Sequence, residues 1–368
     1  MTVRVGIVGT SWWADAMYLP ALKEHPGATL AAICGRNETK AREVAAQWDI
    51  PKVYTDYNAM IDSGEIDAII VSTSNEMHKP ITLAAVKAGL HVLCEKPLGL
   101  NYAEALEMTE AVEANGLKNL TPFTYSYMPT ARYIKELIDS GYIGQPYSLN
   151  LRYYASYGRN GDYMWRFDQS KGGAGAVGDI GSHFLYLATM FYGEIEGLYC
   201  QLGYTVKRPA VDNEGKPYPV ADDQAILTLQ FRNGAQGVIQ VTTLAYEATP
   251  FGQTHHFDFH GSGGTLYSYT DWDTVQQVKG AKVGEGVPKE LPIPEHIWNG
   301  MRHDTVHNTY KDTFRTQNFM ARQFVTGIVE NKDVRPNFRD GLMIQRLIEA
   351  ALRSNREKRW VNVNEIGA

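Results

Sequence analysis

Six short apolar runs alternate with helix-forming segments over the first 123 residues, and this alternation constrains the fold more than any other feature. The runs cover residues 3–8, 29–34, 53–54, 68–71, 91–94 and 119–123. They are brief and unbroken, as strands buried on both faces of a parallel sheet are. Helices are predicted between them over residues 57–63, 80–88 and 102–115, with Pro80 tolerated in a first turn and Gly89 and Gly116 as stops. The pattern specifies a doubly wound α/β sheet. Such sheets bind ligands at the carboxyl ends of their strands, so the residues just after each run are the ones to read.

After the first run comes Gly9-Thr10-Ser11-Trp12-Trp13-Ala14, in the place of a dinucleotide fingerprint. Gly9 supplies the tight turn and Ala14 allows close helix–strand packing, while Ser11 stands where a second glycine is usual. Pyrophosphate would rest on main-chain N–H groups near Ser11, Trp12 and Trp13. The second run ends in Gly35-Arg36-Asn37, where a carboxylate would mark NAD. Arg36 can instead pair with a 2′-phosphate, so NADP(H) is the expected cofactor and NAD(H) the alternative. Ser72, Thr73 and Asn75 follow the fourth run, with His78 just beyond, and they complete the expected cofactor edge. The fifth run leads directly into Glu95, Lys96 and Pro97. Pro97 ends the strand and leaves a carboxylate and an amine at the binding edge, where Lys96 can act as donor, acid or charge stabiliser.

Composition narrows the class. The chain of 368 residues has room for two cores. A formal charge of −6 argues against nucleic acid or an anionic membrane as partner. No apolar run reaches the roughly 20 residues that span a bilayer, and residues 1–5 enter a strand without a signal-peptide pattern. Cys34, Cys94 and Cys200 have no metal-ligand spacing and suit a reducing compartment. The expectation is a cytoplasmic α/β protein. His303 and His307 have helical i,i+4 spacing, but no third ligand accompanies them, so no metal is expected.

The remainder, residues 124–368, reads as a second domain. A glycine-dense run over 172–178 leads into an apolar helix predicted over 179–192, which would place Asp179 and His183 on one face. Tyr147, Tyr153, Tyr154, Tyr157, Tyr163 and Trp165 crowd a region that also holds Arg152, Arg159 and Arg166. Aromatic faces with polar tips suit a carbohydrate pocket, and Trp165 and Arg166 are expected where nicotinamide and substrate meet. Strands are predicted over 225–231, 237–244 and 257–260, with a hairpin at Asn233-Gly234. Residues 205–220 and 278–310 read as irregular, the second as a lid or subunit contact. Helices are predicted over 314–330 and 341–354, the latter covering a sheet.

With these pieces in hand, the chain resembles the glucose–fructose oxidoreductase and inositol dehydrogenase (Gfo/Idh/MocA) family. The resemblance rests on Val92-Leu93-Cys94-Glu95-Lys96-Pro97 and on Gly172-Gly173 through Gly178-Asp179-Ile180-Gly181-Ser182-His183. Leu19-Pro20-Ala21-Leu22, Gly144-Gln145-Pro146 and Trp165-Arg166-Phe167 support it. It implies a Rossmann domain followed by an α+β domain with a large, mainly antiparallel open sheet that mediates dimers or tetramers. It also implies NAD(P)-dependent oxidation or reduction of a sugar, inositol or related cyclic polyol. Oxidising an alcohol requires a base for the hydroxyl proton, and neutral His183 suits that role. Asp179 would hold substrate or bias the imidazole, and Lys96 would stabilise developing alkoxide. Tyr125, Tyr154 and Trp165 are the further expected substrate contacts. Tyr18, Tyr125 and Tyr186 depart from the family pattern, so the chemistry is implied and the substrate is not. Two rival readings are a hydride-recycling glycosidase or epimerase and a non-catalytic dinucleotide sensor.

Overall fold

The computed structural model describes residues 2–249 and 251–367. The chain divides into two compact units, Met1–Pro122 with Lys311–Gln345 and Phe123–Tyr310 with Arg346–Ala368. Set against a division into 1–123 and 124–368 with the helix near 341–354 returning toward the first domain, the segment that joins the first unit is Lys311–Gln345.

The first unit is built on six parallel strands: β1 Val3–Val8, β2 Ala28–Cys34, β3 Lys52–Tyr54, β4 Ala68–Val71, β5 His91–Cys94 and β6 Asn119–Leu120. Their order, β3-β2-β1-β4-β5-β6, reverses between β1 and β4, which creates a crevice at the carboxyl edge. Ile7, Ile69, Ile70, Val92 and Leu93 are wholly buried, as both-face coverage by helices requires. Asn37, Asp56 and Asn101 cap the helices Glu38–Trp48, Tyr57–Asp62 and Tyr102–Ala114, each side chain accepting from a first-turn N–H. The late segment is part of this core. Phe338 is buried among Leu98, Met108 and Val112, and Thr121 N–H donates to the Pro336 carbonyl at 3.1 Å. The helix predicted over 314–330 is two, Val306–Arg315 and Ala321–Val329, parted at Met320 with φ 48°.

The second unit carries a nine-stranded sheet: β7 Pro146–Ala155, β8 Ile195–Gly203, β9 Gln224–Phe231, β10 Gln236–Thr242, β11 Gln253–Gly261, β12 Gly264–Thr270, β13 Gln276–Lys282, β14 Lys289–Glu290 and β15 Val361–Asn362. The order is β14-β13-β12-β11-β7-β10-β9-β8-β15, open at both ends, and among the described residues only β7 and β10 of this sheet pair in parallel. Leu149, Leu151 and Tyr153 of β7 alternate inward and meet Leu227 and Leu229, Ile239 and Val241, and Phe257 and Phe259 of other strands. Helix Gly181–Tyr192 covers this face, with Phe184 against Phe257 at 5.4 Å and Phe191 against Phe259 at 4.9 Å between ring centroids. Residues 278–310 are not irregular throughout. They finish β13, add β14 and helix Glu295–Trp298, and enter helix Val306–Arg315. The last long helix, Phe338–Glu357, extends beyond both predicted ends.

Candidate functional site

In the first unit, the expected cofactor residues gather at the carboxyl ends of β1, β2, β4 and β5. Gly9 turns with φ 125°, and a side chain there would run into the Ser72 carbonyl oxygen. At Gly35 a Cβ would stand 2.7 Å from the Thr10 methyl. Both glycines thus keep the backbone bare where β1 and β2 open. Ser11 Oγ accepts from Ala14 N–H at 3.4 Å, beginning a helical stretch with a π turn over Ala14–Tyr18. Trp12 is 72% exposed and stands edge-on to Trp13 at 5.5 Å. Arg36 is exposed, and Asn37 is used as a helix cap. Ser72 and Asn75 are buried, and Thr73 donates to the Ser74 carbonyl at 3.1 Å.

Glu95 organises the end of β5. Its Oε1 accepts from Trp13 Nε1 at 2.6 Å and from the Tyr18 hydroxyl, and its Oε2 accepts from Lys96 N–H at 3.1 Å. The fingerprint helix and the Lys96 backbone are therefore fastened to one buried carboxylate. Burial raises the Glu95 pKa above the ordinary carboxylate value, opposed by the Lys96 charge and by the Tyr18 and Trp13 hydrogen bonds. The same burial, with the Glu95 charge, pushes the Tyr18 phenol well up, so it stays a donor. The Lys96–Pro97 peptide is cis. His78, expected as a cofactor contact, is fully buried, and its Nδ1 lies 3.0 Å from the Pro97 carbonyl. Burial lowers its pKa to about 4, so it is a neutral structural brace under the Glu95–Pro97 turn.

In the second unit, Asp179 and His183 lie in two helical segments rather than one. Asp179 ends the single turn Ala176–Asp179, and His183 sits in Gly181–Tyr192, with Ile180 between. Asp179 Oδ2 accepts from the Tyr157 hydroxyl at 2.7 Å and from Arg166 Nε at 3.1 Å. Arg166 also lies over the Trp165 ring at 4.5 Å. Burial and the Asp179 charge raise the Tyr157 pKa well above normal. His183 is buried, its ring 4.6 Å from that of Tyr125. Tyr125 and Tyr153 share a hydroxyl hydrogen bond of 2.7 Å, and Tyr153 donates to Gln253 Oε1 at 2.6 Å. His255 pairs with Tyr153 across β11 and β7, and Trp272 closes the cluster 5.4 Å from Tyr125.

Tyr154 is not among them. It is on the opposite face of the sheet, donating to Gln240 Oε1 at 3.1 Å and lying near His256. Its neighbour Tyr153 occupies the inward position, because strand side chains alternate and Leu149 and Leu151 are inward. Tyr153 belongs to the aromatic crowd read from the sequence but not to the expected substrate contacts, and Gln253, His255 and Trp272 are not marked there. The alternation Leu149-x-Leu151-x-Tyr153 was a usable signal for the first, but nothing local marked Trp272. His303 and His307 face different rings, Trp298 at 4.6 Å and Phe251 at 4.6 Å. Among the described residues, no group of three or more His, Cys, Asp or Glu is placed to hold a metal ion, and no helix is long and apolar enough to cross a membrane. The three cysteines are free and buried, and burial raises Cys34 to about 11 and the other two further.

Bare backbone at Gly9 and Gly35, a four-strand carboxyl edge and exposed Arg36 fit a dinucleotide. Comparison with known proteins agrees. Residues 3–122 match the model of an oxidoreductase family described by its NAD-binding Rossmann fold, and residues 135–363 match that family's C-terminal alpha/beta domain. Levoglucosan dehydrogenase of Pseudarthrobacter phenanthrenivorans is 27% identical over 91% of this chain and 90% of its own. Myo-inositol 2-dehydrogenase of Thermotoga maritima is 26% identical over 99% of both. A solved levoglucosan dehydrogenase in complex with NADH and levoglucosan superposes with a TM-score of 0.87 at 24% identity, covering 99% of this chain and 100% of that one. The last of these shows likeness of fold.

Proposed function

This chain belongs to the Gfo/Idh/MocA oxidoreductase family, and from that premise we propose that it transfers hydride between a nicotinamide cofactor and a secondary hydroxyl or carbonyl of a sugar, inositol or related cyclic polyol. The observation that carries this reading is the Asp179 carboxylate, held by Tyr157 and Arg166 four residues before a buried His183 walled by aromatic rings. Aromatic faces with hydrogen-bonding tips suit sugar C–H edges and hydroxyls. The sugar and inositol dehydrogenases named above support the substrate class.

Gly9, Ser11–Trp13, Gly35–Asn37, Ser72, Thr73 and Asn75 would hold the dinucleotide. A bound nicotinamide would supply the hydride acceptor, or donor, for the carbinol carbon. His183 takes the hydroxyl proton during oxidation and gives it back during reduction. Lys96 stabilises negative charge on the reacting oxygen, and Glu95 fixes the lysine backbone. Asp179 orients the hydroxyl or the imidazole. Trp165, stacked with Arg166, flanks the sugar, and Tyr125 forms its aromatic wall. Arg36, with no carboxylate in Gly35-Arg36-Asn37, favours NADP(H), and NAD(H) is the alternative. The outer sheet face, where Ile226 is 48% exposed opposite Gln240, is the proposed surface for a homodimer or homotetramer.

The test is absorbance of reduced nicotinamide with NADP⁺ and NAD⁺ in parallel, against sugars, inositols and anhydrosugars. A signal that Lys96→Ala and His183→Ala remove supports the dehydrogenase. Bound cofactor with product formed but no net reduction would move the assignment to a hydride-recycling glycosidase or epimerase. Full biological activity of Lys96→Ala would point to a sensor.

A further inference from the structure

Gly175, Ala176 and Val177 present three successive backbone N–H groups at the start of the turn that ends in Asp179. All three donate to one residue. Gly175 N–H reaches Asp222 Oδ1 at 2.9 Å, Ala176 N–H the Asp222 carbonyl at 2.9 Å, and Val177 N–H Asp222 Oδ2 at 2.8 Å. First-turn N–H groups have no partner within their helix, and each left buried and unpaired costs about 1–3 kcal/mol. Asp222 is 1% exposed and satisfies the set. The two segments are so close that a side chain at Gly175 would collide with the Asp222 carbonyl oxygen.

Asp222 is itself anchored. The next residue, Asp223, accepts from Thr205 and Val206 N–H at 2.7 Å each, and its carbonyl accepts from Thr243 N–H at 3.0 Å. β9 begins immediately afterwards at Gln224. The sheet thus fixes Asp222, Asp222 fixes the turn, and Asp179 N–H closes the turn on the Gly175 carbonyl at 2.8 Å. Tyr157 and Arg166 then aim the Asp179 side chain.

We propose that Asp222 is a positioning residue for the reaction, setting the location of the Asp179 carboxylate through the Gly175–Val177 turn. The proposal rests on the dehydrogenase reading for its effect on turnover and on geometry alone for the clamp. The experiment has two arms, run on full-length Asp222→Asn and, in parallel, on Asp222→Ser, so that one misfolded variant does not end it. Amide hydrogen exchange is expected to rise at residues 175–179 and to stay unchanged over residues 3–122. Unchanged exchange at 175–179 overturns the clamp, whether or not a substrate is known. In the kinetic arm, kcat is expected to fall ~10- to 100-fold, as a misplaced reacting group does, with the dinucleotide KM held within about twofold. In an Asp179→Asn background the same change should cost less than about twofold further. Full kcat, or losses that simply multiply, assigns Asp222 a purely structural role. A wild-type protein silent on every substrate counts against the dehydrogenase reading, while the exchange arm still decides the clamp.

Discussion

Glu95 and Asp222 are both buried acidic residues that three hydrogen-bond donors reach, yet they hold their surroundings differently. Glu95 accepts from two side chains, Trp13 and Tyr18, and one backbone N–H. Among the described residues Asp222 accepts from backbone N–H groups alone, two on its carboxylate and one on its main-chain carbonyl. The first clasp can be retuned by changing a side-chain donor. The second tolerates many neighbours so long as the backbone keeps its path, and it demands glycine at 175. One carboxylate reads sequence; the other reads shape.

Removing what each carboxylate holds should have the largest effect. Lys96→Ala and Asp179→Asn are each expected to lower kcat by ~10²- to 10⁴-fold in steady-state assays, with dinucleotide affinity by fluorescence titration unchanged in Asp179→Asn. An equal loss of cofactor affinity in both would erase the contrast between the regions. Altering the clasp itself should do less. Glu95→Gln turns one acceptor into a donor, leaving a donor unmatched at about 1–3 kcal/mol. Dinucleotide Kd should rise ~10-fold, with a change in tryptophan emission from Trp13. Tyr18→Phe removes one donor while Trp13 and Lys96 N–H remain, so urea unfolding should show a loss of only about 1 kcal/mol. At the neighbouring edge, Arg36→Ala should reduce the NADP⁺ to NAD⁺ ratio of kcat/KM by ~10-fold or more; an unchanged ratio removes Arg36 from cofactor choice.

A further effect concerns pH. Burial raises the Asp222 pKa from 3.8 to about 6. Between these values the folded chain binds more protons than the unfolded one, so this contribution to stability is lost as pH rises from about 4 to about 6 and is flat above. Going from pH 7.5 to 4.5, wild type should gain about 2 kcal/mol that Asp222→Asn does not, measured by urea unfolding of both proteins at both pH values. The strongly lowered carboxylates Asp212 and Glu365, each at about 2, titrate below this window. Equal pH responses would mean that Asp222 is ordinary.

The sequence was most legible where contacts are local. Apolar runs located the six parallel strands, and residues after them located Gly9, Arg36, Ser72 and Lys96, because a parallel sheet places its strand ends together. Pairing of distant segments was not legible. Whether Tyr153 or Tyr154 faced inward depended on the phase of β7, readable from Leu149 and Leu151, yet His255 and Trp272 joined the cluster only through β11 and the chain after β12. Asp222 was missed because its three donors lie more than forty residues earlier. The helix predicted to carry Asp179 and His183 together was divided at Ile180, after a turn set by that distant carboxylate.

The late segment of the first unit bears on how the chain comes to be made. Phe338 fills the core beside Leu98, Phe338 N–H donates to Asn119 Oδ1 at 2.8 Å, and Arg322 reaches the Ala21 carbonyl at 2.9 Å. On a ribosome, residues 1–122 emerge first but wait through nearly two hundred further residues for the segment that closes them. The second unit, most of whose chain emerges in that interval, has the first opportunity to assemble. The nucleotide-binding half, begun before the second unit, is then finished after most of it, and a nascent chain would gain cofactor affinity only once residues 311–345 have emerged.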